Sequence, residues 1–300
     1  MTREERNHQI QDDIDRVLNH EKRKTIVFTT LKVLLIIIVL FLSFYFYARY
    51  ISTGGLIVKE KRIINTKIPN NFNGTKIVQF SDLLYGTTID DKMLSNLIDL
   101  INIRKPDIVI YNGNLVSNEY NINSEDQEKI IKYFSKIKST YGKYAVFGNQ
   151  DNESYRTIMN QSNFKILSNN YDLIYNDNEH PIRIIGLDSL VRDRQNIRAA
   201  FGNNKYNTFY TIVMMSETDS IDDVCSYSPD LVLAGNSLNG TINIPFIGGL
   251  IRKDGSTKYI NSYYQVQNSD VYVTSGIGTD GVGFRLNNHP SINFFRLSNK

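Results

Sequence analysis

The stretch VFGNQDN, residues Val146–Asn152, is where the fold is read most directly. An apolar run, Tyr144-Ala145-Val146-Phe147, stops at Gly148, and Asn149, Gln150, Asp151 and Asn152 then crowd into a turn. An α/β protein places its ligands at such points, because the carboxyl ends of sheet strands open onto a crevice. The pattern recurs along the chain. KIVQF (Lys76–Phe80) runs into SDLLYG, and DIVIY (Asp107–Tyr111) into NGNLV. TIVMM (Thr211–Met215) runs into SETD, and LVLA (Leu231–Ala234) into GNSLNG. The turn after Gly148 offers mostly neutral amides, which are poor acids, poor bases and weak ligands.

Helical periods separate the first strands. Met93, Leu94, Leu97, Ile98 and Ile101 share one face of a helix expected over 89–103, capped by Thr88. Ser124-x-x-Gln127 reads as a capping box opening a helix with Ile130, Ile131, Phe134 and Ile137 inside. IRIIGL (Ile182–Leu187), VYVTS (Val271–Ser275) and INFFRL (Ile292–Leu297) add further strands. Alternating units followed by more strands predict an α/β domain with buried sheets. No phosphate-binding G-x-x-x-x-G-K-[ST] loop is present, and GTDGVG (Gly278–Gly283) reads as a turn.

Composition narrows the class. The 300 residues carry a net charge of +3, which gives no electrostatic footprint for nucleic acid. The single cysteine, Cys225, permits no intramolecular disulfide and reads as a buried structural thiol. Ile26 to Tyr47 is apolar all round and long enough to span a bilayer, with Tyr45, Tyr47 and Tyr50 at its far end. Lys22, Arg23 and Lys24 precede it, and by the positive-inside rule the N-terminus is cytoplasmic and the large domain extracytoplasmic. The expected organisation is a charged cytoplasmic segment (1–24) and a transmembrane helix (25–48). A linker with a first extended segment (49–75) and the main domain (76–300) follow. The protein is thus expected in the cell membrane as a single-pass chain.

The five strand-end blocks resemble those of the calcineurin-like metallophosphoesterases, in particular the bacterial membrane-associated branch, whose blocks read SDLHxG, TGDLV, GNHD, SHxPD and GHTHGGQ. YGKYAVFGNQDN is similar to the lead-in and third block, and VYVTSGIGTDGVGFRLNNHPSINFFRL to the family's C-terminal segment. The resemblance covers Lys76 to Leu297. It implies a four-layer α/β/β/α sandwich and a two-metal centre activating a hydroxide at a phosphoester. At the family-site positions this chain carries Asp82, Asn114, Asn149, Asp151, Glu217 and Asn236. Five expected histidines are replaced, by Leu84, Gln150, Glu217, Asn236 and Leu238, and the bridging Asp of the second block by Asn114. The four histidines, His8, His20, His180 and His289, all lie outside the blocks. No histidine is close in sequence to Ser81, Ser216 or Ser237, which argues against a Ser-His-Asp triad. Arg285 could face an anion or form a structural ion pair.

Electrostatics makes these replacements consequential. Two dications about 3.5 Å apart repel by roughly 19 kcal/mol at an effective dielectric of 20. A bridging carboxylate offsets much of that, and an asparagine cannot. The expectation is no catalytic residue, no di-metal cofactor, and at most one Mg, Ca or Mn ion on the oxygens of Asn114, Asn149, Glu217 and Asn236. Two readings follow. One is a pseudoenzyme that binds an envelope protein partner or a phosphorylated ligand. The other is a reconfigured phosphoesterase or phosphodiesterase using a single oxygen-liganded ion.

Overall fold

The computed structural model describes residues 2–176, 180–202, 208–244, 246–281 and 283–300. They fall into two units, one ending at Ala48 and the other Arg49–Lys300.

The first unit is one helix, α1 (Arg3–Phe46), where the sequence suggested a break between a cytoplasmic segment and a span. The reason is local. Residues 3–46 contain neither glycine nor proline, so nothing ends the helix at residue 24. Thr25, Thr29 and Thr30 satisfy their hydroxyls on the carbonyls of Glu21, Thr25 and Ile26, at 2.9, 2.8 and 2.9 Å. Among the described residues this is the helix long and apolar enough to cross a membrane.

The second unit contains two six-stranded sheets. The first uses β1 (Ile57–Ile64), β2 (Lys76–Phe80), β3 (Ile108–Tyr111), β4 (Gly142–Ala145), β5 (Lys165–Ile166) and the last strand, β14 (Ser291–Ser298), in the order β1-β14-β2-β3-β4-β5. Between β5 and β14 come β6 (Asn170–Ile174), β7 (Ile182–Gly186), β8 (Thr211–Met214) and β9 (Leu231–Ala234). A short hairpin, β10 (Asn243–Ile244) with β11 (Gly248–Gly249), precedes β12 (Tyr263–Val266), β13 (Ser269–Val273) and β14 (Ser291–Ser298). The second sheet has the order β12-β13-β9-β8-β7-β6.

Strand alternation builds the layers. Ile77, Ile108 and Ile110 point into a core shared with Ile184, Ile212, Leu231 and Leu233 of the other sheet. Their neighbours Val78, Val109 and Tyr111 face outward, against α2 (Asp91–Ile103), α3 (Ser124–Phe134) and α4 (Glu153–Gln161). Ile185, Val213 and Val232 face the opposite way, against α5 (Ile197–Phe201) and α6 (Ile221–Cys225), where Cys225 is buried. The architecture is the four-layer α/β/β/α sandwich.

Three details differ from expectation. The domain begins before residue 76, because β1 is an edge strand paired in parallel with β14 from Ile57↔Ser291 to Ile64↔Ser298. Its charged centre, Lys59 to Arg62, conceals it in sequence, as suits an exposed sheet edge. α2 is capped by Asp90, whose carboxylate accepts from Met93 N at 2.7 Å, and not by Thr88. α3 is capped by Asn123, which accepts from Asp126 N at 2.9 Å, in place of the Ser124–Gln127 box. In both helices a better acceptor lies beside the expected one.

Candidate functional site

β2, β3 and β4 are mutually parallel, so their carboxyl ends deliver the first three polar turns to one edge of the sheet. β8 and β9 do the same in the second sheet. Backbone bonds tie these turns together. Asp82 N donates to Gly113 O at 2.9 Å and Leu84 N to Asn114 O at 3.1 Å. Gly278 N, from the glycine-rich C-terminal turn, donates to Asp82 O at 2.8 Å.

The backbone carries a recurrent strain. Asp82, Leu84, Asn114, Asn236 and Leu238 all adopt left-handed φ, between 47° and 60°. Asparagine and aspartate tolerate this region, but a leucine is held there at a cost of roughly 1–2 kcal/mol. Such outliers cluster where a fold holds a functional constellation. Both leucines are fully buried. Gly276 makes room for one of them, since a Cβ there would lie 2.3 Å from Leu238 Cδ2 and 2.9 Å from Asp82 Cβ.

Asp82, Asn114 and Asn236 meet directly. Asn114 Nδ2 donates to Asp82 Oδ1 at 2.9 Å and to Asn236 Oδ1 at 3.1 Å. Gln150 N donates to Asn114 Oδ1 at 3.1 Å. A backbone N–H can only donate, so this last bond fixes the amide's orientation and directs its NH2 at Asp82. Asp82 Oδ2 accepts from Asn236 N at 3.0 Å and from the Ser81 hydroxyl. Asn236 Nδ2 completes its bonds on Asp254 O and Ser256 Oγ, both at 2.9 Å. The three side chains are fully buried and bonded to one another.

Asp151 is an internal brace. Its carboxylate accepts from Asn114 N (2.8 Å), Leu115 N (2.8 Å) and Gly148 N (2.7 Å), joining the second and third turns. Gln150 accepts from Asn118 N and donates to Asp280, each at 3.2 Å. Glu217 is buried in the same region, but its carboxylate is committed elsewhere. It accepts from Ser189 Oγ at 2.6 Å and Leu190 N at 3.3 Å. Ser256 Oγ, which accepts from both Asn236 Nδ2 and Thr218 N, links its turn to the rest. Asn149 makes the opposite impression, because its Oδ1 is buried without a hydrogen-bond partner.

The charges follow from burial. Desolvation pushes the Asp82 carboxyl up, and the nearby Lys253 ammonium opposes it. Burial likewise raises Asp151 to about 7, against its three backbone N–H bonds. Glu217 is raised for the same reason. Lys253 is the residue that sequence reasoning missed. Its Nζ sits 2.6 Å from Asp280, with only 11% of the side chain exposed. Neither residue lies in a strand-end block or shows a periodicity, so no sequence signal marks them. Arg285 is buried and clamps backbone carbonyls, Ser275 O at 2.7 Å and Gly276 O at 3.2 Å, so its hydrogen bonds hold the C-terminal turn in shape.

This donor set does not fit a di-metal centre. The position between Asp82 and Asn236 is filled by a donor, the Asn114 NH2, where a cation needs acceptors. Leu84 and Leu238 offer no lone pair. Of the four side chains that one ion would use, Asn114, Asn236 and Glu217 already accept hydrogen bonds through their oxygens, and Asn149 Oδ1 is buried without a partner. Among the described residues, no three His, Cys, Asp or Glu side chains group as metal ligands.

No protein-family model matches the chain. Curated relatives do, over most of its length. It is 27% identical over 258 residues to the uncharacterized metallophosphoesterase YkuE of Bacillus subtilis, which covers 84% of this chain and 89% of that one. It is 22% identical over 258 residues to the phosphodiesterase YaeI of Escherichia coli, covering 84% and 92%. This chain belongs to the calcineurin-like metallophosphoesterase superfamily. Among solved structures, the calcineurin-like phosphoesterase YfkN from Bacillus subtilis is a distant likeness. It shows 12% identity and a TM-score of 0.42, covering 75% of this chain and 91% of that one. In this chain the strand-end turns surround amides and leucines at Asn114, Asn149, Asn236, Leu84 and Leu238.

Proposed function

We propose that this protein is a membrane-anchored metallophosphoesterase relative that does not hydrolyse phosphoesters and acts by binding. Its ligand is an envelope protein partner or a phosphorylated molecule held without turnover. The observation that carries this reading is the Asn114 amide, whose NH2 donates to both Asp82 and Asn236. A neutral donor in that position removes the charge that would offset two dications. It also occupies the space between the acceptors. The leucines at 84 and 238 support the same reading, because no protonation state makes them ligands.

Membrane anchoring is supported by the length and apolarity of α1. The cluster of Lys22, Arg23 and Lys24 before its apolar part supports a cytoplasmic N-terminus.

The test is metal content of the purified full-length chain after dialysis against Mn²⁺, Zn²⁺, Mg²⁺ and Ca²⁺, with a generic phosphodiester assay alongside. The expected result is no retained metal and no hydrolysis. One retained ion per chain with turnover would replace this reading by the single-ion hydrolase, with Asn149 and Glu217 the residues to substitute next.

A further inference from the structure

The β10–β11 hairpin carries an apolar tip that nothing in the domain covers. Phe246 is 110% exposed, Ile247 71% and Leu250 47%. A soluble surface scatters such residues singly; three within five positions mark a contact. The hairpin stem is firmly seated, with Asn243 N donating to Leu286 O at 2.9 Å and Leu250 N to Ile242 O at 2.9 Å. The apolar tip is therefore presented by a paired stem.

Its place in the fold identifies the occupant. β1 runs parallel to β14, and β14 antiparallel to β2, with Ile57 opposite Ser291 and Asn293 opposite Gln79. The start of β1 thus lies at the same edge as the carboxyl end of β2, which is the edge of the candidate site. Ile57 is 42% exposed and lines one cavity of about 220 Å³ with Asn239 and Asn243, at the base of the hairpin. Lys59 Nζ donates to Asn239 Oδ1 at 3.4 Å in the same place. The chain therefore enters the domain beside the hairpin. Residues 52–56, which separate Ile51 from Ile57, reach at most about 20 Å when extended.

We propose that the tip residues Phe246 and Ile247, with Leu250 at the end of the stem, form a second membrane contact that dips into the bilayer interface next to the point where the chain enters the domain. This rests on the reading of α1 as a membrane span. An aromatic and two branched aliphatic side chains exposed on one hairpin are suited to the headgroup–acyl boundary, where apolar groups leave water. With a second contact, the domain has a preferred orientation and the candidate-site edge faces the lipid surface.

The chain contains no tryptophan, so Phe246→Trp introduces a sole fluorophore at the tip. The full-length variant is reconstituted into phosphatidylcholine–phosphatidylglycerol vesicles with and without lipids brominated near the headgroup. Tyr227→Trp is the control, because Tyr227 is exposed and precedes β9 at the opposite edge. The expected result is a blue-shifted emission for Phe246→Trp that loses most of its intensity with brominated lipid, while Tyr227→Trp is unchanged. A water-like, unquenched emission from protein that floats with the vesicles overturns the hairpin contact and leaves the anchor standing. Blue-shifted emission insensitive to brominated lipid also overturns it and points to a second protein chain at the tip. Protein that fails to float overturns the anchor, and the hairpin proposal with it.

Discussion

The side-chain nitrogen of Asn114 lies 2.9 Å from Asp82 Oδ1, so a neutral donor meets the site's buried carboxylate directly. Replacing it with a carboxylate of the same shape reverses the interaction. Asn114→Asp is expected to cost about 3–5 kcal/mol, the scale of an uncompensated buried charge. The loss should be deeper at alkaline than at mildly acid pH, because protonating one carboxyl restores a donor. Thermal unfolding with and without Mn²⁺ checks this. Recovery of stability on adding Mn²⁺ would mean that the remaining side chains can hold an ion.

The left-handed backbone at Asp82, Leu84, Asn114, Asn236 and Leu238 leads to a second expectation. If that frame is intact, side chains alone separate this protein from a metal-binding one. A variant combining Leu84→His, Asn114→Asp, Gln150→His, Glu217→His, Asn236→His and Leu238→His should retain about two Mn²⁺ per chain, as a two-metal site requires. Elemental analysis decides it, with the unaltered chain as the blank. A well-folded variant that retains no metal would show that the frame itself has drifted.

The ion pair of Lys253 and Asp280, at 2.6 Å, joins the glycine-rich turn to the segment after the fifth block. Asp280 also accepts from Gln150 Nε2, which extends the link to the third block. A double-mutant cycle of Lys253→Met and Asp280→Asn should return a coupling of about 1 kcal/mol, at the upper end for pairs that are not deeply buried. Lys253→Met alone should cost more than Asp280→Asn alone, because Lys253 also offsets the charge of Asp82. Denaturant unfolding of the four proteins supplies the values.

Stability should depend on pH through Asp151. Burial raises its carboxyl from 3.8 to about 7. Between those values the folded state binds more protons than the unfolded chain, so the stability Asp151 contributes is greatest below about 4 and falls as pH rises toward 7. Asp82 and Glu217 are raised by burial and contribute with the same sign. Asp126 and Asp222 are lowered, so they contribute stability that is lost only below the ordinary carboxylate range. Melting temperatures across this range should decline with pH in the native protein and less steeply in Asp151→Asn. Parallel slopes would remove Asp151 as the titrating group.

Much of the domain was legible in the sequence because its signals are local. β2, β3, β7, β8 and β9 lie where short apolar runs predicted them, and the amphipathic spacing of α2 and α3 placed both helices. The misreadings have two causes, one long-range and one local. β1 is charged along its centre and owes its identity to eight residues of pairing with β14, more than 200 positions away. Asp90 and Asn123 displaced the expected caps because a neighbouring side chain reached the helix N–H groups first.

The sequence by itself determined that the strand-end turns carry Leu84, Asn114, Gln150 and Leu238, since residue identity at a motif position needs no coordinates. That is enough to remove the charge on which a two-metal centre depends. Tertiary structure alone decided what the replacements do instead. It directs the Asn114 NH2 at Asp82, commits Glu217 to Ser189, brings Lys253 to Asp280, and sets an apolar hairpin beside the chain's entry into the domain. Hydrogen-bond direction and ion pairing depend on distances between segments far apart in the chain, and those distances exist only once the two sheets have packed.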